Sequence, residues 1–176
     1  MNDFDNVTGL VGSRAIVYFA GRMYSPVYGH CEWPSGYPIM QANCAIGCVD
    51  VPSDRHLGCG FHAHFEPIET QRFVEQIRGT ADCVTLVECF GRIVTHEKGF
   101  RAQQARIIAV LDWNPHFMFF TIPVGIAGPR ANVPTLAQKY FGVPMIDVDT
   151  AERLIERQRA RLLGTDPNIS YQPRGQ

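Results

Sequence analysis

The chain lacks any long apolar run. Nowhere in its 176 residues do 18 consecutive apolar side chains occur, so a membrane-spanning helix is not expected. It also lacks an excess of charge of either sign: 16 Lys and Arg stand against 17 Asp and Glu, for a formal net charge of -1. A near-neutral chain has no general attraction to nucleic acid or to an anionic bilayer; only a local patch can supply one. The opening MNDFDNVTGL has no basic segment leading into an apolar core, so no secretory signal is expected. No internal repeat and no complete catalytic signature is present. Without a secretion signal, the six cysteines read as thiols or metal ligands in a cytoplasmic protein rather than as a disulfide framework.

What is present suits one globular domain over residues 1–164 with a loose polar tail over 165–176. Hydrophobic residues make up 45% and charged ones 19%, enough apolar content for a real core, so a metal would support the fold rather than replace it.

Local patterns point to an α+β fold: a small, mainly antiparallel β-sheet or partly open barrel with three helices and a zinc-clasped loop. Residues 1–10 look like a frayed start. Residues 15–20 form a β-rich run, and Gly21-Arg22 turns it into a second strand at Met23-Tyr24. Residues 25–60 then show Pro and Gly punctuation without periodicity, a long connection that calls for an outside constraint. Residues 61–65 read as a short strand. Pro67 opens a helix with Ile68, Phe73, Val74 and Ile77 on its apolar face, stopped by Gly79. Residues 83–94 read as a strand kinked at Gly91, 95–99 as a turn, and 100–111 as the returning strand. Ala102, Ala105 and Ala109 would also allow a helix over 101–110, but Ile107, Ile108 and Val110 favour the strand. A buried strand over 117–122 and a helix over 134–141 follow. A last helix begins at a capping-box-like Asp149 and Glu152, runs to Leu163 and stops at Gly164.

The connection carries the chemistry. Of six cysteines and six histidines, eight fall between His30 and His64: His30, Cys31, Cys44, Cys48, His56, Cys59, His62 and His64. Thiolates and imidazoles gathered in loop-like sequence are the ligands of a tetrahedral Zn²⁺. Cys44, Cys48, His56 and Cys59 have the best spacing, with short intervals at each end and a central loop to wrap the ion. A filled Cys₃His shell has no open position and serves folding rather than chemistry. Cys31, His62 and His64 are reserve ligands, the last two sharing one face of a strand. The alternative is a set of unrelated thiols and a surface imidazole.

Other candidates have plainer readings. His96-Glu97 resembles an acid–base pair only superficially, because neighbours on a strand point to opposite faces. A Cys59 nucleophile with His96 as base has no local mark of activation. Cys83 and Cys89 lie on one strand face and read as core. Arg153, Arg157 and Arg161 form a row on the last helix that fits a solvated face, interleaved with Glu152 and Glu156. Around the 95–99 turn, Arg92, His96, Lys98 and Arg101, with Phe100 to stack, could contact a base or phosphate.

Several segments in order carry a resemblance: Met23-Tyr-Ser-Pro26, Trp33-Pro-Ser-Gly36, Ala42-Asn-Cys44, Cys59-Gly-Phe-His-Ala63, residues 90–102 (FGRIVTHEKGFRA) and residues 136–144 (LAQKYFGVP). Together they resemble a family of uncharacterised small proteins of actinobacteria and their phages. In that family the stretch matching 44–60 tends to hold a Cys, a His and a closing Cys-x-Cys-Gly. Cys44 and Cys59-Gly60 stand in matching places, Cys48 stands where the His would be, and His56 lies near the first closing Cys. The resemblance implies a four-ligand site with two ligands changed in type or shifted. It brings no activity.

The expected function is therefore that of a zinc-stabilised binding module, with a protein or nucleic-acid partner, no membrane, and oligomers allowed. A thiol- or metal-dependent hydrolase and a virion or scaffold component are the alternatives.

Overall fold

A computed structural model describes residues 4, 7–26, 32–36, 38–44, 47–53, 58–76, 82–112 and 133–163. The expected strand over 117–122, the tail over 165–176, Ile77 and Gly79 lie outside the described residues, as do His30, Cys31 and His56. Within them the fold is α+β, with three helices and a mostly antiparallel sheet of eight strands.

The sheet is built on a long hairpin, β6 (Cys83–His96) and β7 (Gly99–Leu111). β-branched and small residues make both strands two-sided, and β7 is buried along most of its length, which is why the helix alternative for it fails. The kink expected at Gly91 is a register shift between Phe90 and Ile93. β1 (Leu10–Phe19) pairs antiparallel with β6 and turns at Ala20-Gly21 into β2 (Arg22–Tyr24), which carries β3 (Glu32–Trp33) on its other side. The outer edge of β7 takes β5 (Phe61–His64), β4 (Met40–Gln41) and, in parallel, β8 (Met145–Ile146). β5 also touches β1 at the single pair Ser13↔His64. The pairs β1–β6–β7–β5–β1 make the sheet partly ring-like, but not a barrel.

Gly99 makes that closure possible. A Cβ there would sit 2.1 Å from the Ala63 carbonyl oxygen, so any other residue would push β5 off β7.

The helices cover the sheet. α1 (Pro67–Gln76) begins with proline at its first position, as expected, and is tied to β1 by the 2.7 Å contact between the Ser13 and Thr70 hydroxyls. α2 (Val133–Phe141) packs on β7, β6 and β8, and its Tyr140 hydroxyl donates to the Trp33 carbonyl. α3 (Val148–Leu163) buries Ala151, Leu154, Ile155 and Gln158. Its cap differs from the expected one. Asp147, not Asp149, accepts the Thr150 N–H at 2.7 Å, the bond an N-cap side chain makes three residues on. Arg153, Arg157 and Arg161 are exposed, as a solvated face requires. Among the described residues no helix is long and apolar enough to cross a membrane.

The start of the chain is also held more firmly than the composition suggests. Glu88 is fully buried; one carboxylate oxygen accepts the Thr8 and Gly9 N–H groups, each at 2.7 Å, and the other accepts Nε and Nη2 of Arg106 at 2.8 and 2.6 Å. Residues 7–9 are thus stapled to β6 by a buried charge that cannot be left unpaired. Replacing Glu88 with Ala should cost about 3 kcal/mol, the low end for breaking a buried pair because Arg106 keeps some solvent contact. Urea unfolding checks this, and a loss under about 1 kcal/mol would show the staple to be dispensable.

Candidate metal centre

The loop between β4 and β5 is pinned at both ends to β7. At its start the Ala42 N–H donates to the Gln103 carbonyl at 2.8 Å. At its end Cys59 runs directly into β5 through Gly60, whose φ of +98° and whose missing Cβ, which would lie 2.9 Å from Pro52 Cβ, both demand glycine. The Gly47 N–H donates to the Cys44 carbonyl at 3.0 Å. These constraints bring the sulfurs of Cys44, Cys48 and Cys59 within 4.8 Å of one another.

That geometry fits a thiophilic cation. Zn–S bonds of about 2.3 Å in a tetrahedron place sulfurs about 3.8 Å apart, so a contraction of roughly 1 Å or less would complete three corners. The three differ in surroundings. Cys59 is 1% exposed and its Sγ accepts the Ser53 N–H at 2.9 Å, whereas Cys44 and Cys48 are half-buried. The hydrogen-bonded Cys44 thiol, and then burial, raise the pKa of Cys48 above its ordinary value. A bound cation would reverse that, since a coordinating thiol is deprotonated outright.

No family model, curated protein or solved structure matches the chain. The site therefore stands on its own geometry.

Three of the four expected ligands are brought together, and the fourth, His56, lies outside the described residues together with Cys31. The reserve ligands His62 and His64 do not join the trio; among the described residues the three cysteines alone form such a group. The strand that carries both histidines, β5, lies between β1 and β7. His64 Nδ1 lies 3.0 Å from the Thr70 hydroxyl and its ring packs against Phe73. His62 Nε2 is buried and has no hydrogen-bond partner among the described residues. Cys83 and Cys89 are buried, and burial raises both thiols, as suits core residues.

The residues expected around the hairpin turn separate. Arg92, His96 and Lys98 are exposed; Lys98 pairs with Glu69 at 3.0 Å and Arg92 with Asp50 at 3.9 Å. Phe100 and Arg101 do not share that surface. Phe100 is fully buried with its ring 5.3 Å from that of Phe65, and Arg101 is 4% exposed. Docking of β5 on β7 covers both, which a hairpin read in isolation cannot show. Arg101 Nη1 instead donates to the carbonyls of Ser53 at 3.1 Å and Cys59 at 3.4 Å. Sequence reasoning missed this role. The only trace of it is the strand alternation that sets Arg101 on the face opposite Phe100.

The two β5 histidines make the fold acid-sensitive. Burial, then the Arg14 and Arg101 guanidiniums, lower His62 to about 4; burial, then His96, lower His64 to about 4. An unfolded histidine titrates near 6.5. Between these values the unfolded chain binds more protons, so this stability is fully present above about pH 6.5 and is lost as pH falls towards 4. His62 alone should account for on the order of 3 kcal/mol. Urea midpoints at pH 7 and pH 4.5 check it: a His62→Gln, His64→Gln double variant should flatten the slope, and an unchanged slope would acquit the pair.

Proposed function

We propose that the chain is a zinc-stabilised binding module of the actinobacterial and actinophage type its motifs resemble, working in the cytosol through protein or nucleic-acid contacts. The observation that carries the proposal is the convergence of three soft thiols from a connection with no periodicity of its own. Cys44, Cys48 and Cys59 would supply three thiolates and His56 the fourth donor. A zinc so held is a cross-link and leaves no position for substrate. The hydrolase alternatives have less support. Cys59 is too buried for a nucleophile, and Thr70 engages a nitrogen of His64.

The contact surface proposed is the exposed hairpin end with Arg92, His96 and Lys98. Two or three cations suit a local contact and not a long backbone track.

Elemental analysis of protein purified without chelator should find one zinc per chain, and Cys44→Ser, Cys48→Ser or Cys59→Ser should lose most of it. His56→Ala should weaken retention less. A fully folded wild-type protein that holds no zinc would sink the metal reading. Separately, anisotropy with single-stranded and duplex nucleic acid should weaken from 50 to 200 mM salt with a log–log slope of about -2, one unit for each of Arg92 and Lys98. No binding at low salt removes nucleic acid and leaves a protein partner.

A further inference from the structure

We infer that Arg101 is the positioning residue of the cysteine site, holding Cys59 in place as the fixed corner onto which Cys44 and Cys48 close. The inference rests on the zinc reading above and deepens it.

Arg101 lies mid-sheet. Its Cα is in register with His62 of β5 on one side and Val94 of β6 on the other, so its backbone is among the best constrained near the loop. From there one guanidinium nitrogen grips two loop carbonyls, those of Ser53 and Cys59, at 3.1 and 3.4 Å. Those two residues are bonded to each other as well, through the Ser53 N–H to Cys59 Sγ contact of 2.9 Å. Arg101, Ser53 and Cys59 thus close a triangle that ties the sulfur, through two backbone groups, to the centre of the sheet. Neither Cys44 nor Cys48 has comparable burial.

Two consequences follow from general chemistry. A ligand held before the cation arrives lowers the ordering cost of binding, which is how outer-shell hydrogen bonds raise metal affinity. Three thiolates around a divalent cation also leave one unit of negative charge, and a guanidinium beside Cys59 offsets it. Lysine would keep the charge but on a side chain one atom shorter, and glutamine would keep hydrogen-bonding capacity without the charge.

The test measures zinc affinity by competition with a chromogenic chelator, and melting temperature with and without zinc, for wild type, Arg101→Lys and Arg101→Gln. Arg101→Gln should bind zinc about 10- to 100-fold more weakly, the usual range for an outer-shell loss, with Arg101→Lys between it and wild type. The zinc-induced rise in melting temperature should shrink in the same order. A purely structural anchor would lower both melting temperatures equally and leave zinc affinity within about twofold, which would overturn the inference. Should both variants fail to fold, alkylation of metal-free wild type decides: Cys44 and Cys48 should label well before Cys59, and equal labelling would refute a fixed Cys59. Wild type that binds no zinc defeats the metal reading itself, whereas wild type that binds zinc no better than Arg101→Gln defeats only the positioning role.

Discussion

The structure depends on β7 being paired along both edges. β6 occupies one, and β5, β4 and β8 share the other. The pairs Gln41↔Gln104 and Phe61↔Ala102 place the two ends of the cysteine loop two residues apart on the same strand, roughly 7 Å at the usual rise. A connection with no periodicity therefore becomes a closed loop before any ligand acts. The approach of β5 to β7 needs Gly99 to have no side chain, so this one glycine underlies both the ring-like sheet and the meeting of the cysteines.

Closure by the sheet alone is a weak hold. β4 has two residues, and bringing together the ends of a loop of about 20 residues costs on the order of 3 kcal/mol in chain entropy. Two ladder positions do not offset that with much to spare, since each net backbone hydrogen bond is worth about 1 kcal/mol. A cation bound by three thiolates would. In zinc-finger peptides the metal carries the whole fold; here the core around Trp33, Phe100, Ile108 and Leu111 already exists, so the share of a metal bound as proposed would fall on the loop and on β5.

Much of the architecture was legible because it is periodic. The long hairpin shows in its β-branched runs, its kink in Gly91, and the helices in their apolar spacing and in Pro67. Three of the proposed ligands were legible because thiols in an unpatterned segment are chemically conspicuous. What stayed hidden depends on partners distant in sequence. β3, β4 and β8 are two residues long and exist only because a neighbour supplies their hydrogen bonds. Phe100 and Arg101 adjoin a turn and looked exposed, but β5, nearly 40 positions earlier, covers them. Residues 7–9 lack any apolar pattern and looked frayed, yet Glu88 holds them from 79 and 80 positions away. Asp149 fits a cap by residue type, but Asp147, two residues earlier, is the carboxylate that accepts the Thr150 N–H.

A common device links the two hidden holds. Each unpatterned segment is secured by a buried charged side chain from the central hairpin that bonds its backbone: Glu88 of β6 for residues 8 and 9, Arg101 of β7 for residues 53 and 59. Burying a charge is costly, so such bonds are made only where they are satisfied, and they fix geometry more sharply than apolar contact does. The cysteine loop also reaches the hairpin by a second route, the Arg92–Asp50 pair, but at 3.9 Å and with both side chains open to solvent it is worth little. A cation bound at the three cysteines as proposed would therefore act on the proposed contact surface at Arg92, His96 and Lys98 through β5 and the backbone of β7 rather than through that surface ion pair, so that removing Asp50 would leave any such effect intact while loosening Arg101 would not.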